Sequence, residues 1–175
     1  TVQGGARVIE RLTAHAKLTL ALRVVGVRDD GYHDIDAELV SLDLHDVLSI
    51  DTSSTGITLE GPFANGITDS EDNLIAKALR LCGVSAAVHV TKNIPSGGGL
   101  GGGSADAAAT LVACDAYWNA GIPRDQLDAM AATLGSDVPF MLHGGCSLGV
   151  GRGDVLSPVM TRGSFHWVFA IFDEG

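Results

Sequence analysis

The sequence predicts an α+β domain built on a mixed sheet. Three observations carry this. The first sixty residues read as short strands separated by turn clusters, helical apolar spacing takes over after residue 69, and a strand-like run, a glycine-rich loop and a helical pattern follow one another between residues 87 and 119. At 175 residues the chain has the length for one domain with a real core, and 46% hydrophobic against 18% charged residues is a globular composition rather than a disordered one.

Taken in order, Ala6 to Leu12 alternates weakly and reads as a first strand. From Leu18 the alternation strengthens. Leu18, Leu20, Leu22 and Val24 share one face and Lys17, Thr19, Ala21 and Arg23 the other, which predicts a half-buried strand with Lys17 turned away from the leucines. Asp30-Gly31 is a turn dipeptide. Ile35 to Leu44, Val47 to Ile50 and Ile57 to Glu60 return as strands. Asp69 to Asp72 opens a helix with acidic residues suited to its positive end, Leu74, Ala78 and Leu81 stripe it, and Gly83 stops it. Ala87 to Lys92 is a strand, Ala107 to Asn119 and Arg124 to Leu134 are helices, and Ser136-Asp137-Val138-Pro139 starts another that runs to about His143. Phe165 to Phe172 reads as a buried strand, apolar at nearly every position and so requiring cover on both faces.

Between the strand and the helix lies Asn93-Ile94-Pro95-Ser96-Gly97-Gly98-Gly99-Leu100-Gly101-Gly102-Gly103-Ser104-Ala105-Asp106, in which six of the seven residues from Gly97 to Gly103 are glycine. Glycine lets ligand oxygens approach the backbone and reaches positive φ without strain. Free N–H groups and the positive helix end can then converge on a phosphate. No Lys precedes Ser104, so this is not G-x-x-x-x-G-K-[ST], and the second helical pattern that follows argues against a dinucleotide fold.

Composition removes other classes. A net charge of −10 offers no basic surface for nucleic acid or an acidic membrane, though a small anion needs only local donors. Cys82, Cys114 and Cys146 are far apart and form no CxxC, so they read as reduced, mostly buried thiols of a cytoplasmic protein. No apolar run reaches about 18 residues, and Arg7, Glu10 and Arg11 interrupt any leader-like core at the start.

The stretch from Pro95 to Ser104 resembles the second motif of the small-molecule kinases grouped as galactokinase, homoserine kinase, mevalonate kinase and phosphomevalonate kinase. Three further segments narrow this: Ala14-His15-Ala16-Lys17-Leu18-Thr19-Leu20, Asp29-Asp30-Gly31-Tyr32-His33, and Leu134-Gly135-Ser136-Asp137-Val138-Pro139-Phe140. With their order and spacing, the chain resembles the amino-terminal portion of the 4-diphosphocytidyl-2-C-methyl-D-erythritol kinases, ATP-dependent enzymes of the non-mevalonate isoprenoid route. It departs from their pattern with His15 where Pro is usual and Thr19 where Asn is usual.

The resemblance implies a ribosomal protein S5 domain 2-like α+β fold, with residues 1–175 forming the amino-terminal ATP-binding domain and a carboxy-terminal half lying outside this chain. It implies phosphorylation of the 2-hydroxyl of the diphosphocytidyl substrate. Asp137 would accept the hydroxyl proton and Lys17 would keep it ionised. Pro95, Ser96, Gly97, Gly98, Gly99, Leu100, Gly101, Gly102, Gly103, Ser104 and Ala105 would hold the ATP phosphates, with the Ser104 hydroxyl near Mg²⁺. Asn73 and Lys92 match positions flanking the nucleotide base, and Thr19, Tyr32 and His33 match substrate contacts, the last two at the cytidine. The implied partner is a small molecule, with neither nucleic acid nor membrane. Two alternatives stand beside this reading: another kinase of the same superfamily, and a nucleotide-binding module without catalysis.

Overall fold

The computed structural model describes residues 8–29, 31–118 and 121–171. Ala6 and Arg7 of the first expected strand, Asp30 of the turn, Asn119 at the helix end and Phe172 lie outside the described residues.

The fold is organised on one long hairpin. Strand β1 (Val8–Val27) pairs antiparallel with β2 (His33–Asp51), from Val27 opposite His33 to Val8 opposite Asp51. At the tip, Arg28 N donates to Tyr32 O at 2.8 Å and Gly31 N to Arg28 O at 3.1 Å, with Gly31 at φ +83°, a conformation side chains rarely accept. The other edge of β2 is shared. Val47 to Asp51 pairs antiparallel with β4 (Ala87–Thr91), and Ala37 to Val40 with β5 (Cys146–Val150). Strand β3 (Gly56–Glu60) lies parallel to β4, and β6 (Val155–Pro158) returns along β5. One parallel pair among antiparallel ones makes the sheet mixed, as the sequence predicts.

Four helices complete the described fold: α1 (Leu74–Leu81), α2 (Gly102–Trp118), α3 (Arg124–Leu134) and α4 (Val138–His143). Leu48 and Ile50 of β2 and Val88 and Val90 of β4 pack against Ile75 and Leu79 of α1 and against Ala105, Ala113 and Cys114 of α2. A second cluster, with Ala78, Ala107, Ala108, Leu111, Leu127, Ala131 and Val138, joins the helices to one another. Alanines on α2 serve both clusters. Small side chains bring the helix close to its neighbours on opposite sides, which is why it is apolar nearly all round.

Five elements differ from the sequence prediction. The strands expected at Ile35 to Leu44 and Val47 to Ile50 are one strand, β2, which pairs with β1 along its whole length. The two expected strands before residue 25 are one strand, and its alternation breaks at register shifts between His15 and Lys17 and between Thr19 and Ala21. Lys17 is thereby buried, while Leu20, Leu22 and Val24 are exposed. Helix α1 begins at Leu74, after the acidic run, because the Asn73 side chain supplies the cap, accepting from Ile75 N at 2.9 Å. Helix α2 begins at Gly102, so the last glycines of the loop are its first turn. Residues 159–171 form no strand and are exposed, Phe165 and Val168 among them. Their continuous apolar pattern meets no strand partner among the described residues, and alternation alone cannot supply one.

Candidate active site

Strand β4 delivers the chain to the glycine loop, and α2 leaves from it. Gly97, Gly99 and Gly101 have φ of +77°, +71° and +74°. Space adds a second requirement further along. A Cβ on Gly101 would run into Met141 Cε and lie 3.3 Å from Lys17 Cγ, and one on Gly102 would lie 3.2 Å from Ile94 and 3.4 Å from Lys92 Nζ. Gly97 and Gly99, by contrast, face open space. The loop is therefore exposed in the middle and tightly seated where it becomes helix. It borders a cleft of about 340 Å³ shared with Leu59, Ile67, Asn73, Leu74, Lys92 and Ser104.

Strand β1 is stitched to this loop: Lys17 N donates to Leu100 O at 3.0 Å. The irregularity after His15 turns the Lys17 side chain inward, where its ammonium lies 3.4 Å from Asp137 Oδ2 and donates to Thr19 Oγ1 at 3.1 Å. Asp137 stands just before α4, yet its side chain makes no capping bond. A carboxylate that does not cap its helix is available to a cation and to a ligand. The Lys17 side chain is 10% exposed and that of Asp137 39%, so the pair is closed on the lysine side and open on the carboxylate side.

The structure thus brings Lys17, Thr19, Asp137 and the Leu100–Gly101 end of the loop together. Asn73 and Lys92 border the same cleft with their polar groups engaged. Asn73 caps α1 and donates to Thr68 O at 2.7 Å. Lys92 is 2% exposed, its ammonium bonded to Asp46 and, at 2.5 Å, to Asp106. Burial pushes the Asp106 carboxyl up to about 7, with Lys92 opposing the shift, and its Oδ1 has no protein partner. Sequence reasoning missed Asp46 and Asp106. Asp46 shares its parity on β2 with the buried Leu48 and Ile50, a signal that was there to be read.

Tyr32 and His33 are not brought to this point. They sit at the hairpin tip, and Lys17 lies ten positions before Val27, at most about 33 Å of extended strand away. Tyr32 is 54% exposed, with the Arg152 guanidinium 5.3 Å from its ring centroid. Arg152 is itself held by Asp154 at 2.8 Å. His15, without an assigned role, lies beside His45 with ring centroids 5.2 Å apart and planes tilted by 47°.

Residues 72–145, which include the loop, Asp137 and all four helices, match the family model for the GHMP kinases N terminal domain. Over residues 72–145 the chain is similar to the N-terminal domain of the GHMP kinases. Among relatives, it is 45% identical to the 4-diphosphocytidyl-2-C-methyl-D-erythritol kinase of Salinispora arenicola over 94% of its own length, and 41% identical to that of Rhodococcus jostii over 93%. It spans about half of each, 55% and 54%. Among solved structures, a 4-(cytidine 5'-diphospho)-2C-methyl-D-erythritol kinase superposes with a TM-score of 0.68 at 37% identity, covering 85% of this chain and 55% of that one. A D-glycero-D-manno-heptose 1-phosphate kinase from Bacteriodes thetaiotaomicron superposes with a TM-score of 0.66 at 17% identity, covering 89% and 61%, and shares the fold. No helix among the described residues is long and apolar enough to cross a membrane, and no group of three or more His, Cys, Asp or Glu there could hold a metal ion.

Proposed function

We propose that this domain carries the ATP site and the catalytic pair of an enzyme that phosphorylates the 2-hydroxyl of 4-diphosphocytidyl-2-C-methyl-D-erythritol, a step of non-mevalonate isoprenoid precursor synthesis. The observation that carries the chemistry is the Lys17–Asp137 pair at 3.4 Å, joined through Lys17 N to the glycine loop. Phosphoryl transfer asks the protein mainly for positioning and charge neutralisation. Asp137 takes the proton of the attacking hydroxyl. Lys17, beside that carboxylate, balances its charge and stabilises charge on the transferring group.

The phosphates of ATP lie along Pro95 to Ala105, where glycines leave room for their oxygens and α2 offers its N-terminal N–H groups. Ser104 would hold Mg²⁺ through its hydroxyl, and the ion would supply neutralisation of the phosphate charge. The residues fit that pattern, since Mg²⁺ bound through a nucleotide needs no protein cage. Asn73 borders the cleft on the side of the base. Thr19, whose Oγ1 accepts from Lys17 Nζ, keeps its O–H donor and one lone pair for the substrate. Tyr32 stacks on the cytosine and His33 meets its edge, so the substrate runs from the hairpin tip toward Asp137, a course that suits a long nucleoside diphosphate conjugate.

The test is coupled ADP release by the full-length protein with a panel of acceptors. Turnover is expected with the diphosphocytidyl compound and not with homoserine or mevalonate. Turnover of either of those, or ATP-analogue binding without turnover of any acceptor, would replace this reading with one of the two alternatives.

A further inference from the structure

We infer that Asp46, Lys92 and Asp106 form a buried clasp that holds the two ends of the phosphate loop, so that Lys92 is a positioning residue acting through the loop backbone rather than on the nucleotide base. The inference rests on the phosphate-loop reading above and goes beyond it, because none of the three groups needs to touch a ligand.

The entrance to the loop is tied to β2. Strand β4 leaves its pairing with β2 at Thr91 opposite Val47, and the chain then runs past Asp46. Asp46 Oδ1 accepts from Asn93 N at 2.5 Å and from Ile94 N at 2.8 Å, and Asn93 Nδ2 donates to His45 O at 3.0 Å. Two backbone N–H groups on one buried carboxylate fix the direction in which the loop starts. The exit is tied to the same point. Lys92 Nζ bonds Asp46 Oδ2 and, at 2.5 Å, Asp106 Oδ2 in the first turns of α2. One ammonium therefore joins the first and last residues of the loop across its base. Ile94 and Lys92 Nζ fill the space beside Gly102, so the clasp also sets how closely α2 approaches the strand end.

Burial decides between clasp and ligand contact. All three side chains are nearly inaccessible, with Asp46 at 0%, Lys92 at 2% and Asp106 at 3% exposure. Freeing the ammonium to reach a base would leave two buried carboxylates unpaired, a severe desolvation cost. The raised pKa of Asp106 fits a supporting role as well. Below about pH 7, where its proton is retained, the cluster is neutral and places no net negative charge behind the phosphates.

The experiment uses the full-length protein. Asp46→Ala removes the acceptor for both loop amides, and Asp46→Asn keeps the volume and one acceptor. In the ligand-free protein, hydrogen exchange at Asn93 and Ile94 is expected to lose protection in Asp46→Ala and to recover it in part in Asp46→Asn. NMR titration is expected to show affinity for a non-hydrolysable ATP analogue and for tripolyphosphate falling roughly tenfold or more in Asp46→Ala, with adenosine unaffected, since loop geometry serves phosphate alone. If Asp46→Ala does not fold, Asp106→Asn, which keeps volume and an acceptor but breaks one ion pair, is read at Gly102 and Gly103 with the same probes. Unchanged protection in a folded variant overturns the clasp. So does Lys92→Met losing adenosine while its loop amides stay protected, which is the signature of a base contact. Lost protection in a protein whose parent binds neither tripolyphosphate nor the ATP analogue supports the clasp and overturns the phosphate reading instead.

Discussion

The two ends of the β1–β2 hairpin are built in opposite ways. Around Lys17, β1 is buried, irregular in register and bonded to the glycine loop, and the loop is backed by a salt-bridged cluster. At the tip, the strands also shift register, between Val24 and Gly26, but are open to solvent: Leu22 is 62% exposed and Val27 74%, and Tyr32 rests on Arg152 rather than in a core. The contrast follows from what each end is proposed to do. In-line phosphoryl transfer tolerates little displacement and calls for groups locked by packing. Stacking on a base needs a flat apolar face and tolerates more movement. The tip can therefore stay on the surface.

If the loop end is a close-fitting phosphate cradle, the largest loss should come from filling it. Gly102→Val places a branched side chain against Ile94, whose Cβ would lie 3.2 Å from the new Cβ, and against Lys92. ATP-analogue binding measured by calorimetry should disappear in a variant that still folds. Unchanged affinity would remove the cradle. Next in size is Asp137→Asn in the full-length enzyme. Turnover should fall by roughly 10² or more with ATP-analogue affinity held, because only the proton acceptor is lost. A parent-like turnover would make the Lys17–Asp137 pair structural.

The same contrast explains which parts of the molecule were legible in the sequence. The loop and the helices after it announce themselves locally, through glycine content and helical spacing, whereas Lys17 and Asp137 are paired only by the resemblance of their motifs. The face that Lys17 occupies does not announce itself. Strict alternation from Leu18 puts the leucines inside, and the register shifts beside Lys17 reverse this, because a displaced register exchanges the faces of a strand. The clasp was hidden for another reason. Asp46 meets Lys92 across 46 positions, so a lysine that looks like a surface residue is buried by a partner no local pattern points to. The apolar run from Phe165 shows the converse: hydrophobic continuity predicted a strand, and residues 165–171 join no strand among the described residues.

At the tip, a smaller and purely kinetic effect is expected. Tyr32→Ala should raise KM for the diphosphocytidyl substrate roughly tenfold, in keeping with about 1–3 kcal/mol for a base stacked on an aromatic ring. KM for ATP and kcat should stay near the parent values, since the tip does not reach the loop. A fall in kcat would show that the two ends are coupled and that the ring does more than hold the base.

The smallest expected effect concerns the buried acid behind the loop. The Asp106 carboxyl, ordinarily near 3.8, is pushed up to about 7, first by burial, with Lys92 opposing and Asp46 adding to it. The folded protein therefore keeps this proton across a window, about pH 4 to 7, in which the unfolded chain has released it. The stability associated with the protonated acid is fully present below about pH 4 and is lost as the pH rises through 7. Asp106→Asn abolishes the titration. Unfolding free energies of parent and variant, measured by denaturant from pH 4 to 8, share every other carboxylate, so their difference isolates this one. The parent should lose ground to the variant as pH rises through the window, since ionising the buried acid costs the folded protein more than the unfolded chain. A difference that does not change with pH would mean that Asp106 is ionised throughout, and that the phosphate loop sits in front of a cluster carrying net negative charge.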